Sequence, residues 1–270
     1  METCLYAVQQ IRRLRGGSQA QLLRASDGFY YVTKAAQNPQ HVRVLANELL
    51  ATRLGQMLGL PMPSVEGIEV SNWLIENTPD LRIELAGSSI PWKTGIHLAS
   101  RYVADPATGP VFDYLPDSLL ENLENACDFP RVLVLDRWTC NSDGRQAVFS
   151  RRTKRKGAYA ATFVDQGYCF NAGDWDFPDS PLRGVYAKNC VYEHVAGWDS
   201  FEPALTRAEQ IQIDDIWRIA AAIPSEWYEF DREGLNRLVE ALFKRRTRIR
   251  DLITTFREST RNPFPNWTAA

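Results

Sequence analysis

Apolar positions recur along the chain with two periods, and the change from one to the other organises it. Leu5 to Arg13 is strand-like and is followed by Arg15-Gly16-Gly17-Ser18. Gln21 to Ala25 and Phe29 to Ala35 read as two strands around Ser26-Asp27-Gly28, because Asp-Gly between β-prone runs suits a tight hairpin turn. Asn38-Pro39 breaks the chain. From His41 to Leu58 the period becomes helical: Val44, Leu45, Leu49, Leu54 and Leu58 share a face, and Gly59 and Pro61 mark the end. Strands are expected again over Ser64 to Val70, Asn72 to Ile75 and, past a polar stretch, Ile96 to Val103.

The Pro- and Gly-containing segment Asp105 to Asp113 reads as a loop and as a boundary between residues 1–104 and 105–270. Beyond it the pattern predicts helices over Asp117 to Cys127 and Phe129 to Asp136, although Val132 to Leu135 alone would also suit a strand. A hairpin is expected over Gln146 to Val164, turning at the basic run Arg151 to Lys156. Helices follow near Phe201 to Leu205, Arg207 to Ala222 and Arg232 to Glu258, the last with Leu235, Leu238, Leu242, Ile249, Leu252 and Ile253 on one side. The expected class is α+β in two lobes: a small antiparallel β-lobe with one helix, then a larger, mostly helical lobe.

Composition narrows the function classes. The 270 residues are 44% hydrophobic and 24% charged, ordinary for a globular protein. A net charge of -2 and a pI of about 6.0 argue against a general nucleic-acid binder. The five cysteines are scattered with no C-x-x-C, which speaks for reduced, buried thiols rather than a disulfide framework or zinc site. His41, His97 and His194 share no metal spacing. Without a signal-peptide pattern or an apolar run near the ~20 residues that span a bilayer, the expected location is the cytoplasm.

Four features carry candidate chemistry. Gly16, Gly17 and Ser18 between two strands would let backbone N–H groups approach phosphate oxygens, or simply make a turn. Lys34 ends the strand Tyr30-Tyr31-Val32-Thr33-Lys34; a lysine there can neutralise phosphates if an acid holds it, and Glu48 on the next helix is placed to do so. Asp136 and Asn141 form D-x-x-x-x-N after an apolar run, a spacing that suits a base and a metal ligand in phosphoryl transfer. Asp165-Gln166-Gly167 puts a carboxylate at a strand end, where it can hold Mg²⁺. Each is weak alone; their order along the chain is the order a kinase requires.

At these residues a resemblance becomes specific. The strings G-G-S-Q-A-Q-L-L-R-A-S-D-G-F-Y-Y-V-T-K, L-A-N-E-L-L-A-T-R-L-G, D-R-W-T-C-N-S-D-G-R-Q-A-V-F and V-D-Q-G-Y-C-F-N-A-G-D-W, spread between about Arg15 and Phe201, resemble the bacterial HipA-like kinases, a family similar in plan to protein and phosphatidylinositol kinases. The resemblance implies ATP and Mg²⁺ as cofactors and a protein Ser or Thr as acceptor. By it, Gly16, Gly17 and Ser18 cover the phosphates, Lys34 pairs with Glu48, and Ser100, Arg101, Tyr102 and Val103 form the hinge beside adenine. Asp136 is then the base, with Asn141 and Asp165 the metal ligands. Trp138 stands where the family's usual His is absent, and Asp143 offers a competing register, disfavoured because Val148, five residues on, cannot bind metal. A nucleotide-binding module without catalysis, a lipid or small-molecule kinase, and a metal hydrolase using Asp136, Asp143 and Asp165 remain as alternatives. The last leaves the Gly turn and Lys34 unexplained, and Lys34 lying far from Asp165 would favour it.

Overall fold

The computed structural model describes residues 5–106, 109–151 and 158–268. Its first part is a closed five-stranded barrel in the order β1-β2-β3-β7-β4, from β1 (Leu5–Arg13), β2 (Gln21–Ala25), β3 (Tyr30–Lys34), β4 (Val65–Val70) and β7 (Gly95–Arg101). Neighbours are antiparallel except β1 and β4, which run parallel from Leu5 opposite Ile68. The expected purely antiparallel β-lobe is therefore corrected: one parallel pair closes the barrel, and closure leaves no strand edge open. Two register shifts in β1, after Ala7 and after Gln10, add the local twist that closure needs. Gly28, at φ +84, makes the β2–β3 turn in the conformation that Asp-Gly favours.

Helix α1 (Val44–Met57) is buried on nearly every side, because it packs against the barrel and against the helices that follow. Gly55 permits the close approach: a Cβ there would run into Met62 and into Leu135 of α4 (Asp128–Trp138). Two expectations fail just past β4. Residues Asn72–Glu76 form helix α2, not a strand, because the Ser71 side chain accepts the Leu74 N–H at 3.2 Å and caps it. The polar stretch that follows contains a separate hairpin, β5 (Arg82–Leu85) with β6 (Ser88–Pro91).

The remainder is mostly helical. Helix α3 is confined to Asp117–Leu120, shorter than the pattern implied. The hairpin of β8 (Gln146–Ser150) and β9 (Ala160–Val164) forms as expected, with Gln146 opposite Val164; its basic turn, Arg152 to Gly157, lies outside the described residues. Then come α5 (Ala204–Gln210), α6 (Ile213–Ala220), α7 (Arg232–Arg245) and α8 (Ile249–Arg257). The single helix expected over Arg207 to Ala222 is two, since Gln212 and Asp215 build a capping box that starts α6 afresh. The amphipathic run to Glu258 also divides, at a 3₁₀ turn over Arg246–Arg248. One apolar core joins α1 to the helices and a second fills the barrel. No helix among the described residues is long and apolar enough to cross a membrane. Of the cysteines, Cys140 and Cys169 are buried, Cys127 is exposed against expectation, and Cys4 lies outside the described residues.

Candidate active site

The barrel and the β8–β9 hairpin border a cleft of about 550 Å³, within the range of small-ligand sites. Lys34, at the end of β3, enters it from the barrel. Its Nζ lies 2.9 Å from Glu48 Oε2 and 2.8 Å from Asp165 Oδ1. Burial alone would push the ammonium down, but the two carboxylates outweigh it and hold Lys34 charged, above its ordinary value. Burial likewise pushes Asp165 up, and Lys34 and then Arg145 bring it net below the usual carboxylate range. Lys34 is thus placed beside Asp165, not at the separation that would favour the metal-hydrolase alternative.

The segment after β9 is pinned to α1 from two adjacent positions. Glu48 Oε2 also accepts the backbone N–H of Gln166 at 2.9 Å. The preceding residue, Asn47, is fully buried, and its Nδ2 donates to the carbonyls of Gly167, Cys169 and Ala172 at 3.0, 3.0 and 2.7 Å. Its Oδ1 accepts the indole N–H of Trp175 at 2.7 Å. His41 Nε2 donates to the Gly167 carbonyl at 3.0 Å. These bonds hold Asp165 itself at φ +61, a left-handed conformation that Asp tolerates better than most residues. Trp175 therefore packs as a structural anchor of this loop, with the Arg43 guanidinium 4.1 Å from its ring centre.

The other residues singled out by the sequence divide. Ser18, Ser100, Arg101 and Tyr102 line the cleft, and Gly16 and Gly17 form the turn that leads into Ser18. Asn38 Nδ2 fixes that turn by donating to the Ser18 carbonyl at 3.2 Å. The backbone N–H groups of Arg101 and Tyr102 already donate to the carbonyls of Ser64 and Tyr30, so they are not free to meet a base. Asp136 and Asn141 do not line the cleft. The Asp136 side chain is 1% exposed and is gripped by Arg145, whose Nε lies 3.1 and 3.0 Å from its two oxygens. Asn141 Nδ2 donates to Asp136 Oδ1 at 3.0 Å, and Asn141 Oδ1 accepts the Asp143 N–H at 3.2 Å. In this arrangement the pair closes the loop internally, away from the cleft where the sequence expectation put a base and a metal ligand.

Asp143, by contrast, is exposed. Its Oδ2 lies 3.4 Å from Nε2 of Gln146, which lines the cleft and opens β8. Gln146 is not legible from kinase spacing, which points five residues past Asp143, to Val148, rather than three. The available signal was its place opposite Val164, one residue before Asp165, in the ladder. The arginines of the cleft, Arg12, Arg13, Arg15 and Arg101, were also missed in that role, apart from the last; they give its mouth a positive lining.

The arrangement brings together a cleft, a buried lysine held by two acids, and an exposed carboxylate beside an amide. The family model for HipA-like kinases matches residues 8–153. The chain belongs to that family. Solved structures with the same overall fold include the proinflammatory kinase CtkA of Helicobacter pylori, at 14% identity over 88% of this chain and 96% of that one, TM-score 0.54. HipA of the Shewanella oneidensis MR-1 toxin–antitoxin system, solved with HipB and operator DNA, is 12% identical over 96% and 75%, TM-score 0.54. A Golgi casein kinase with Mn and ADP bound is 10% identical over 95% and 73%, TM-score 0.51. At these identities the likeness bears on fold alone. No curated protein matches the sequence.

Proposed function

We propose that the chain binds ATP with Mg²⁺ in this cleft and transfers the γ-phosphoryl group to a hydroxyl acceptor, a protein Ser or Thr. The observation that carries the reading is the Lys34 ammonium between Glu48 and Asp165. An ammonium has three donors; two face these acids, and the third is available to a phosphate oxygen. The nucleotide would lie between residues 1–104 and 105–270, with Ser18 and its glycines over the phosphates and Ser100, Arg101, Tyr102 and Val103 beside the base. We assign the acceptor-orienting role to Asp143, because Asp136 is committed to Arg145. Asp165 and the side-chain oxygen of Gln146 would hold the metal; both are hard oxygen donors, which suits Mg²⁺ completed by phosphates and water. Bound metal would neutralise charge on the phosphate oxygens during transfer.

The test is incubation of the chain with γ-labelled ATP, Mg²⁺ and a generic protein acceptor. Label on protein, lost in Asp165→Ala and in Asp143→Asn, supports the reading. Tight ATP binding without any label transfer to protein, lipid or water would instead favour a nucleotide-binding module without catalysis.

A further inference from the structure

A second cavity, of about 120 Å³, shares no lining residue with the cleft. It is walled by the end of α4, the loop after it, residues 178–183, and the α7–α8 region. Its charge does not balance. Four guanidinium groups line it, from Arg137, Arg183, Arg245 and Arg248, with three carboxylates, and one of those, Asp136, is already bound to Arg145. Asp179 bridges Arg245 and Arg248. Only Asp251 remains, which leaves an excess of about two positive charges by formal count.

Two of the arginines have neutral partners alone. Arg137 is 5% exposed. Its Nη1 donates to the carbonyls of Ser180 and Pro181 at 3.0 and 3.2 Å, its Nη2 donates to the Arg183 carbonyl, and its buried Nε has no acceptor among the described residues. Arg183 Nη2 donates to Asn171 Oδ1 at 2.8 Å. A buried cation whose hydrogen-bond partners are all neutral is costly, and the carboxylate that acts on Arg137 through space, Asp136, is itself bound to Arg145. A phosphoryl group supplies what is missing: about −1.5 to −2 of charge and three strong acceptor oxygens in a compact tetrahedron.

We propose that this cavity is a phosphoryl-binding site, filled by free inorganic phosphate or by phosphorylated Ser180, which forms part of its wall. In the second case Ser180 Oγ forms the new O–P bond to the γ-phosphorus of ATP. The bond from that phosphorus to the β–γ bridging oxygen breaks, ADP leaves, and the hydroxyl proton passes to water. Only this source, if self-inflicted, rests on the kinase reading; binding of free phosphate needs no catalysis, so the two can fail separately. Because Asp136 and Asn141 share the wall, an occupant would tie residues 178–183 to the loop that leads into Asp143.

The test uses the full chain after phosphatase treatment and follows thermal unfolding with added inorganic phosphate, against chloride at equal ionic strength. The site predicts a phosphate-specific rise in Tm that disappears in Arg183→Gln and in Arg248→Gln, both at exposed positions that leave the core intact. The rise persists in Arg15→Gln, which removes a cation of the cleft. Mapping by mass after incubation with ATP and Mg²⁺ then separates the sources: phosphate on Ser180 with loss of the response marks the in-chain group, and an unmodified Ser180 with the response intact marks free phosphate. No phosphate-specific rise, or a rise that survives both Arg183→Gln and Arg248→Gln, overturns the proposal.

Discussion

Asp136 and Arg145 form an ion pair whose side chains are 1% and 0% exposed, and Asn141 adds a further hydrogen bond to the same carboxylate. The acid that the D-x-x-x-x-N spacing singles out thus holds a loop together. Removing one partner of such a pair leaves the other buried and uncompensated, at a cost of about 3–5 kcal/mol. Asp136→Ala should therefore lower unfolding free energy in urea by that order. Asp143→Asn, at an exposed position, should change stability by less than about 0.5 kcal/mol. The same Asp143→Asn should slow label transfer by about 100-fold or more, the usual contribution of a positioned base. An Asp143→Asn chain with full activity would return the role to another group.

Lys34 stands between two acids that need it unequally. Glu48 is 3% exposed as a residue, while the Asp165 side chain is 25% exposed and has water within reach. Lys34→Met should destabilise the chain, and adding Glu48→Gln should recover part of the loss, with a coupling of about 1–3 kcal/mol in a double-mutant cycle. Additive effects of the two substitutions would mean that the pair is not energetically linked.

How much of this was legible in the sequence depends on the range of the interaction. Helix α1 and the strands β2, β8 and β9 follow from local pattern, and Lys34 with Glu48 follows from a strand and helix joined by a short connection. The α2 segment misled because Trp73, Leu74 and Ile75 suit either element, and the decision lay in the Ser71 cap. Spacing could not say which side of the loop after α4 Asp136 faces. That was decided by Arg145, nine residues on, and by where the loop turns after α4. Asn47 was hidden for the same reason: its three acceptors lie at least 120 residues away.

Asn47 positions Asp165 rather than touching the cleft. Asn47→Asp replaces the donating Nδ2 with an oxygen and sets it against the carbonyls of Gly167, Cys169 and Ala172. The expected outcome is a weaker metal requirement curve, with half-saturation by Mg²⁺ shifted upward at least about tenfold, the scale found when residues supporting metal ligands are removed. An unchanged Mg²⁺ dependence alongside lower stability would make Asn47 structural only.

The barrel carries its own pH dependence. His97 in β7 accepts the Ala36 N–H at Nδ1 and donates from Nε2 to the Lys93 carbonyl, so it is bound as the neutral ring. Burial pushes it down to about 4. The unfolded chain takes up a proton near pH 6.5 that the folded one refuses, so stability should fall as pH drops from about 6.5 to about 4, by up to about 3 kcal/mol, and then level. His41 and His194 are also lowered, first by burial, and add in the same direction. In denaturant unfolding at a series of pH values, His97→Gln should flatten part of this limb; an unchanged slope would contradict the assignment.

In the proposed function, the barrel ammonium and the carboxylate after β9 act on one triphosphate. Titration calorimetry of ATP into the chain, with and without Mg²⁺, tests it directly. The account predicts metal-dependent binding in the native chain, loss of the metal dependence in Asp165→Asn, and weakened binding in Lys34→Met. Equal ATP affinity in all three proteins, regardless of metal, would contradict it.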